Sequence, residues 1–427
     1  MKKVLFYKKI QENKFNGLLR SLYGKGEVSL SAQKERYMGS IDSFGLHFPD
    51  REDVRMFSAS GRTEIGGNHT DHQRGVVLGA AVNLDIIAVV SFHEDGIVRV
   101  KSEGFGRVEI PLCDLSPREE DSGSSLIIKG ILKRFEEKGV AVKGFDMYCT
   151  SDVISGGGIS SSAAFETLVS TVVDCGYNGG GSTPLEIAKI GKFAENVYFG
   201  KKCGMLDQTI TSFGGVVSVD FKDSENPRVE KIEFDFSGVG YAICITDTGA
   251  SHENLTAEYD AIVGEMCAVA AFFGCDVLGE VDEDVFYESI PKLRERFSER
   301  AILRAMHFFG ETRRATEEAE TLKCGDVVRF LNLVRESGDS SAFLLQNLYS
   351  TNRPEKQEIP LAIALGKKLL GDCGAVRVHG GGFAGTIQAF VPENKLCEYV
   401  KLMESVFGKG SCHRVAVRPC GGVEIKD

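Results

Sequence analysis

The 427-residue sequence predicts a soluble protein of mixed helix and strand, folded as two or three domains. Three observations lead there. The length exceeds what one ordinary core serves. Strand-like apolar runs alternate with segments of helical period. The composition, 42% apolar and 26% charged, is that of a globular chain without disordered bias.

In chain order, residues 1 to 55 mix charged and apolar side chains and read as a helical or irregular lead-in. VVLGAAVNLDIIAVVSF (76–92) reads as strand; after a His-Glu-Asp-Gly turn, IVRVKSE (97–103) is its expected hairpin partner. LIIKGILKRFEEKG (126–139) has helical spacing and stops at Gly139. FDMYCTSDV (145–153) is strand-like and runs into ISGGGISSSAAFETLVSTVVDC (154–175), the pattern of strand, loop and helix. TPLEIAKIGKFAENVYFG (183–200) reads as a helix capped by Thr183, with Pro184 at its first position. After the strand GGVVSVDF (214–221), the acidic stretch KDSENPRVEK (222–231) reads as a domain boundary or a surface turn. A strand YAICITDTG (241–249), helical patterns from about 254 to 335, and a glycine-rich return VRVHGGGFAGTIQAFVP (376–392) complete the pass.

Charge narrows the partners. With 61 acidic against 50 basic residues the net charge is -11, which disfavours a nucleic-acid or membrane-surface role. A phosphate ligand remains compatible, because backbone N–H groups can hold one. The twelve cysteines are scattered and form no C-x-x-C pair, as expected for thiols in a reducing compartment. The opening MKKVLFYKKIQENKF has no sustained apolar stretch, and no run of 18 apolar residues follows. A cytoplasmic protein is expected.

Four segments carry chemistry. In ISGGGISSSAAFE, glycines let a ligand approach the backbone, and a helix starting within Ser160–Ser162 would offer free N–H groups and a favourable dipole to an anion. The Walker A lysine pattern is missing, and a glycine turn with a serine cap is the plainer alternative. In FAENVYFGKKCGMLDQTITSFGG (193–215), Glu195 lies on the expected helix and Asp207 beyond it in a glycine-bounded loop, with Lys202 as a nearby positive group. Asp207 suits a base or charge anchor; a capping aspartate and a solvated glutamate are the alternative. In GRTEIGGNHTDHQRG (61–75), His69, Asp71 and His72 lack the further ligands a structural zinc site needs. With Arg62 they fit a polyol better, since Asp and His pair with neighbouring hydroxyls; a solvated polar turn is the other possibility. The glycine run of VHGGGFAGTIQAFV suggests backbone passing close to a ligand or another loop.

Taken in order, these segments resemble the GHMP small-molecule kinase superfamily and, within it, the galactokinases. The family's GR-x-N-x-x-GEHTDY-N-x-G reads GRTEIGGNHTDHQRG here; its phosphate loop GxGLSSSAA is matched by GGGISSSAA (156–164). CG-x-MDQ appears as CGMLDQ (203–208), and GGGFGG as GGGFAG (380–385). TDTGASHENLTAEY (246–259) is similar to the middle segment, and RESGDSS (335–341) to E-S-H-x-S. The resemblance implies an α+β, two-domain GHMP-kinase-like fold with the active site in the cleft between domains. With it we set an N-terminal lead-in at 1–35, an N-terminal kinase domain at 36–225 and a C-terminal one at 226–427. It implies phosphorylation of the C1 hydroxyl of galactose by ATP with Mg²⁺, by a protein acting as a monomer. Asp207 and Arg62 would be catalytic. Asn68, His69, Asp71, Gly204 and Tyr259 would contact the sugar. Gly156, Gly157, Gly158, Ser160, Ser161 and Ser162 would wrap the nucleotide phosphates, Ser162 and Glu195 would hold Mg²⁺, and the Gly380–Gly385 loop would support the site.

The sequence also departs from the family pattern. Asn68 stands for the family's Glu, Glu64 for its Asn, His72 for Tyr, Ser60 for Pro and Ala384 for Gly; Gln73-Arg74-Gly75 replaces Asn-x-Gly, Gly338 replaces the histidine of E-S-H, and a proline is missing near Val153–Ile154. Asn68 keeps an acceptor but loses a charge at a position expected to touch the outer hydroxyl. A kinase for another or modified hexose, or a sugar-binding regulator without catalysis, therefore stand as alternatives.

Overall fold

β1 (Arg55–Gly66) and β2 (Val76–Phe92) are buried along almost their whole length, and this places them at the centre of an eight-stranded sheet. The computed structural model describes residues 1–24, 27–153, 159–201, 203–250 and 255–426. In chain order the further strands are β3 (Ile97–Ser102), β4 (Arg107–Pro111), β5 (Phe145–Ser151), β6 (Val216–Asp220), β7 (Arg228–Ile232), β8 (Tyr241–Asp247), β9 (Ala375–Val378), β10 (Thr386–Pro392), β11 (Cys412–Val415) and β12 (Val423–Ile425). The large sheet runs β12-β1-β2-β5-β3-β4, with β6 joining β2 and β7 joining β6. One end of β2 pairs with β6 (Val76–Ala80) and the other with β5 (Ile86–Phe92), while β1 follows it on the opposite side.

Helices cover both faces, which is why β2 reads as one continuous apolar run. Ile86, Ala88 and Val90 point to one face, with α4 (Gly123–Glu137), α5 (Ser161–Tyr177) and α6 (Pro184–Phe193). Ile87 and Val89 point to the other, against α1 (Lys3–Gln11), α2 (Asn16–Tyr23) and α3 (Glu27–His47), which contribute Phe6, Leu19, Tyr37 and Phe44, together with Phe15 just before α2. The lead-in is therefore a packed layer of the domain. It has no break at residue 35, where its end was expected, because α3 runs through that position.

A buried charge ties this layer to the chain's far end. Asp85, fully buried on β2, accepts from Arg36 (2.6 Å), Arg418 (3.0 Å), Tyr23 (2.5 Å) and Ser58. Burial raises its pKa, but the two guanidinium groups and the hydroxyls outweigh that and hold it below the usual range.

The expected hairpin of 76–92 with 97–103 does not form. β3 pairs parallel with β5 and antiparallel with β4. β5, buried at five successive positions, takes the interior slot beside β2, and half-exposed β3 lies outside it. The acidic stretch 222–231 is likewise not a boundary: it turns the antiparallel hairpin β6–β7, so the division drawn at 225/226 falls inside the first sheet. Beyond it, β11-β8-β10-β9 form a four-stranded antiparallel sheet. Helices Glu358–Leu370 and Leu396–Phe407 pack on it through Ile359, Ile363, Tyr399 and Met403. Helix Glu299–Cys324 packs against both β2 and α8 (Thr256–Phe272), joining the two halves. The chain returns to the first sheet with β12.

Candidate active site

Arg62 lies on β1 where the ladder with β2 shifts register, and its N–H donates to Ile159 O (3.1 Å). Its Nε donates to Asp207 Oδ1 at 2.7 Å, and the Ser160 hydroxyl donates to Asp207 Oδ2. Asp207 is not in a loop as expected: it opens α7 (Leu206–Phe213), where the positive end of the helix dipole favours a carboxylate. Desolvation raises its pKa, but Arg62 and Ser160 outweigh that and hold it below the usual carboxylate range. The Asp207 side chain keeps 31% of its surface open against 8% for Arg62, so a substrate can reach the carboxylate of the pair.

The second group of expected residues gathers around the turn joining β1 to β2. Asp71 lies against Gly204, where a Cβ would collide with its carboxylate; glycine at 204 is thus a steric requirement. Burial, reinforced by the charge of Asp207, raises Asp71 to about 6. His69, in the left-handed region at φ 58°, donates from Nε2 to Gly381 O at 2.9 Å, and burial lowers its pKa to about 4. His72 is lowered to about 3, first by burial and then by His69. Two neutral imidazoles beside one carboxylate suit hydroxyl recognition, and no metal-binding cluster of His, Cys, Asp and Glu occurs among the described residues. Across the cleft, Tyr259 donates to Gly382 O (2.9 Å) and packs edge-on against Phe383. The glycine turn between β9 and β10 thereby meets both His69 and Tyr259.

Asn68 is fully buried, and its amide is spent on the protein: Nδ2 donates to Glu64 Oε1 (2.8 Å) and Gly380 O (2.7 Å), while Oδ1 accepts from Asn347 (2.8 Å). Two departures from the family pattern, Glu64 and Asn68, thus face each other as partners. Glu64 also accepts from Arg377 Nη2 at 3.0 Å, a fully buried guanidinium. Glu311 takes the Gly67 N–H (3.1 Å) and the Ser337 hydroxyl (2.5 Å). Burial raises Glu311, yet His307, Arg314 and Arg377 outweigh it and lower it to about 2. His307 Nε2 donates to Asn68 O at 2.9 Å. Sequence reasoning missed Glu311, Arg377, His307 and Asn347; only Arg377, a lone charge in the apolar strand AVRV, carried a signal, whereas Glu311 and His307 lie in a helix rich in charged residues.

Ser161, Ser162 and Glu195 line one cavity of about 510 Å³, with Ile86, Thr150, Ser151, Phe165 and Phe199. Glu195 lies on a π-helical turn, Ala194–Phe199, that continues α6 beyond its Thr183–Glu186 capping box. Its carboxylate accepts from Lys201 (3.0 Å), Cys203 (3.0 Å) and Gln208 (2.8 Å). Gln208 also donates to Glu166 Oε2 (3.0 Å), and Glu166 Oε1 is buried without a hydrogen-bond partner among the described residues. Burial, then the charge of Glu195, raises Glu166. Gly156, Gly157, Gly158 and Lys202 lie outside the described residues.

Comparison with known proteins identifies the family. The galactokinase galactose-binding signature matches residues 42–92 and the GHMP kinase N-terminal domain residues 126–215. A galactokinase of Actinobacillus pleuropneumoniae serotype 5b is 32% identical over 344 residues, 79% of this chain and 85% of its own length. One of Streptomyces coelicolor is 29% identical over 356 residues, 82% of this chain and 88% of its own. Among solved structures, Lactococcus lactis galactokinase complexed with galactose superposes with a TM-score of 0.78 at 23% identity, covering 90% of this chain and 98% of that one. The α+β fold is thus that of the GHMP kinases, and the chain belongs to the galactokinase family.

Proposed function

We infer that this protein transfers the terminal phosphoryl group of ATP to the C1 hydroxyl of galactose, giving galactose 1-phosphate and ADP. The observation that carries the reading is the Arg62–Asp207 pair, anchored by Ser160 and open to solvent on the carboxylate side. Family membership favours galactose over another hexose, and a kinase over a sensor.

In this reading Asp207, ionised at neutral pH, accepts or orients the proton of the attacking hydroxyl. Arg62 keeps that carboxylate ionised and offsets charge on the transferred group. Asp71, His69, Gly204 and Tyr259 hold the sugar. Asn68, its amide already committed, braces the turn that presents His69 and Asp71. Ser160, Ser161 and Ser162, with Gly156, Gly157 and Gly158, take the ATP phosphates. The residues also fit Mg²⁺, since Ser162 and Glu195 supply hard oxygen donors to one cavity. When bound, the ion would neutralise phosphate charge. We take the acting unit to be a monomer, and the twelve free thiols to favour the cytoplasm; no helix among the described residues is long and apolar enough to cross a membrane.

A coupled ADP-release assay with Mg-ATP and a hexose panel tests this. Galactose should be the preferred acceptor, and Asp207→Ala should lower kcat by about 10²–10⁴-fold. Turnover that ignores Asp207, or prefers another sugar, would overturn it.

A further inference from the structure

The N-terminal layer meets the large sheet where the β2–β5 ladder ends. The last pairs of that ladder are Ile87↔Thr150 and Ile86↔Ser151; beyond them β2 turns away towards β6. Ile86, Thr150 and Ser151 line the cavity that holds Ser162 and Glu195. A splayed strand pair makes a poor wall unless something fixes it, and one side chain does so. Arg36, on α3, donates through Nη2 to Asp85 O (2.9 Å) and Thr150 O (3.3 Å), one backbone group on each strand. Through Nη1 it reaches Asp85 Oδ1 (2.6 Å) and Asp152 Oδ2 (2.9 Å). Gln33 supports the same grip, accepting from Arg36 (3.1 Å) and donating to Asp152 Oδ2 (3.4 Å). The strands also meet directly, Asp152 N–H donating to Asp85 O at 2.9 Å.

We propose that Arg36 is a positioning residue for the nucleotide cavity, through which the N-terminal helical layer sets the protein's affinity for ATP. This rests on the reading of that cavity as the ATP site. The planar guanidinium suits the task because it offers donors in a fixed fork, reaching two carbonyls and two carboxylates at once. Arg36 does not line the cavity. It acts by holding Ile86 and Thr150–Ser151 at the separation the nucleotide meets, so its loss weakens ATP binding and spares the sugar residues Asp71, His69 and Tyr259, which do not line that cavity.

The test is steady-state kinetics and calorimetric titration with Mg-ADP on the full chain, comparing wild type with Arg36→Ala, Asp152→Ala and Phe15→Ala. Asp152 is a half-exposed residue at the strand end, so its variant keeps the test alive if Arg36→Ala does not fold. Phe15 is buried in the same helical layer, away from the grip, and reports a merely structural loss. Arg36→Ala and Asp152→Ala should each raise the KM for ATP and the Kd for ADP about tenfold, with the galactose KM within about twofold of wild type. Phe15→Ala should lower Tm and leave the ATP KM unchanged. Equal effects of Phe15→Ala and Arg36→Ala on the ATP KM, parallel shifts in both KM values, or unchanged ADP affinity would overturn the proposal alone. A wild type that binds no nucleotide would overturn the cavity reading with it. A wild type that binds ADP but ignores galactose would fail the proposed function only, and the ADP comparison would still decide the role of Arg36.

Discussion

Asp71 has a carboxyl raised from the usual 3.8 to about 6 by burial and by its neighbour Asp207. Sugar binding through the ionised form should therefore fail on the acid side: kcat/KM for galactose should fall as pH drops below about 6. Stability runs the other way. A raised carboxyl favours the protonated native state, so its contribution is whole below the unfolded value and is lost as pH rises through about 6. Asp71→Asn should accordingly match wild type in urea midpoint in acid and exceed it at pH above about 6; a wild type equally stable or more stable there would refute the assignment. Among single residues, Arg62, His69, Asp71 and Asp207 were legible in the sequence as candidates because each lies in a short motif, although their contacts run between motifs: Arg62 to Asp207, Asp71 to Gly204 and His69 to Gly381. The partners of Glu64 and Gly67 were not, because Arg377 and Glu311 are 313 and 244 positions away. Nor was the bond from Ser160 to Asp207, which requires two helix starts to converge.

Helices declared themselves through caps and period: Thr183 with Pro184 and Glu186 starts α6 as its sequence predicts. Strand partners were less legible. The composition of β3 says that it is half-exposed, not whether its neighbour is β2 or β5, and only the deeper burial of β5 decides the order. Asp207 was misplaced by one element for a related reason, since the glycines around it resemble a loop while α7 begins at Leu206. The Asp85 cluster belongs to this scale, because it joins α2, α3, β1, β2 and the segment before β12. Arg418→Met should leave Asp85 with Arg36 as its remaining cation and cost about 3–5 kcal/mol in chemical denaturation; a loss below about 1 kcal/mol would show that the second cation is dispensable.

The whole molecule is two sheets that share side chains. Arg377 of β9 bonds Glu64 of β1, Asn68 bonds Asn347 and Gly380, and helix Glu299–Cys324 packs on both halves. Calorimetry should therefore record a single unfolding transition with matching calorimetric and van't Hoff enthalpies, and two resolved transitions would disprove the coupling. The two-domain outline was legible in length and motif order. Its dividing line was not, because the chain leaves the first sheet after β7 and re-enters it with β12. That re-entry has a consequence for biosynthesis. The strand bearing Arg62 receives its outer neighbour from residues 423–425, and Arg55 finds Glu424 only 369 positions later. A ribosome making this protein therefore holds an unfinished first sheet, with one edge of β1 bare, until the last strand has left the exit tunnel. The outer edge of β1 is thus the last part of the sheet to be closed.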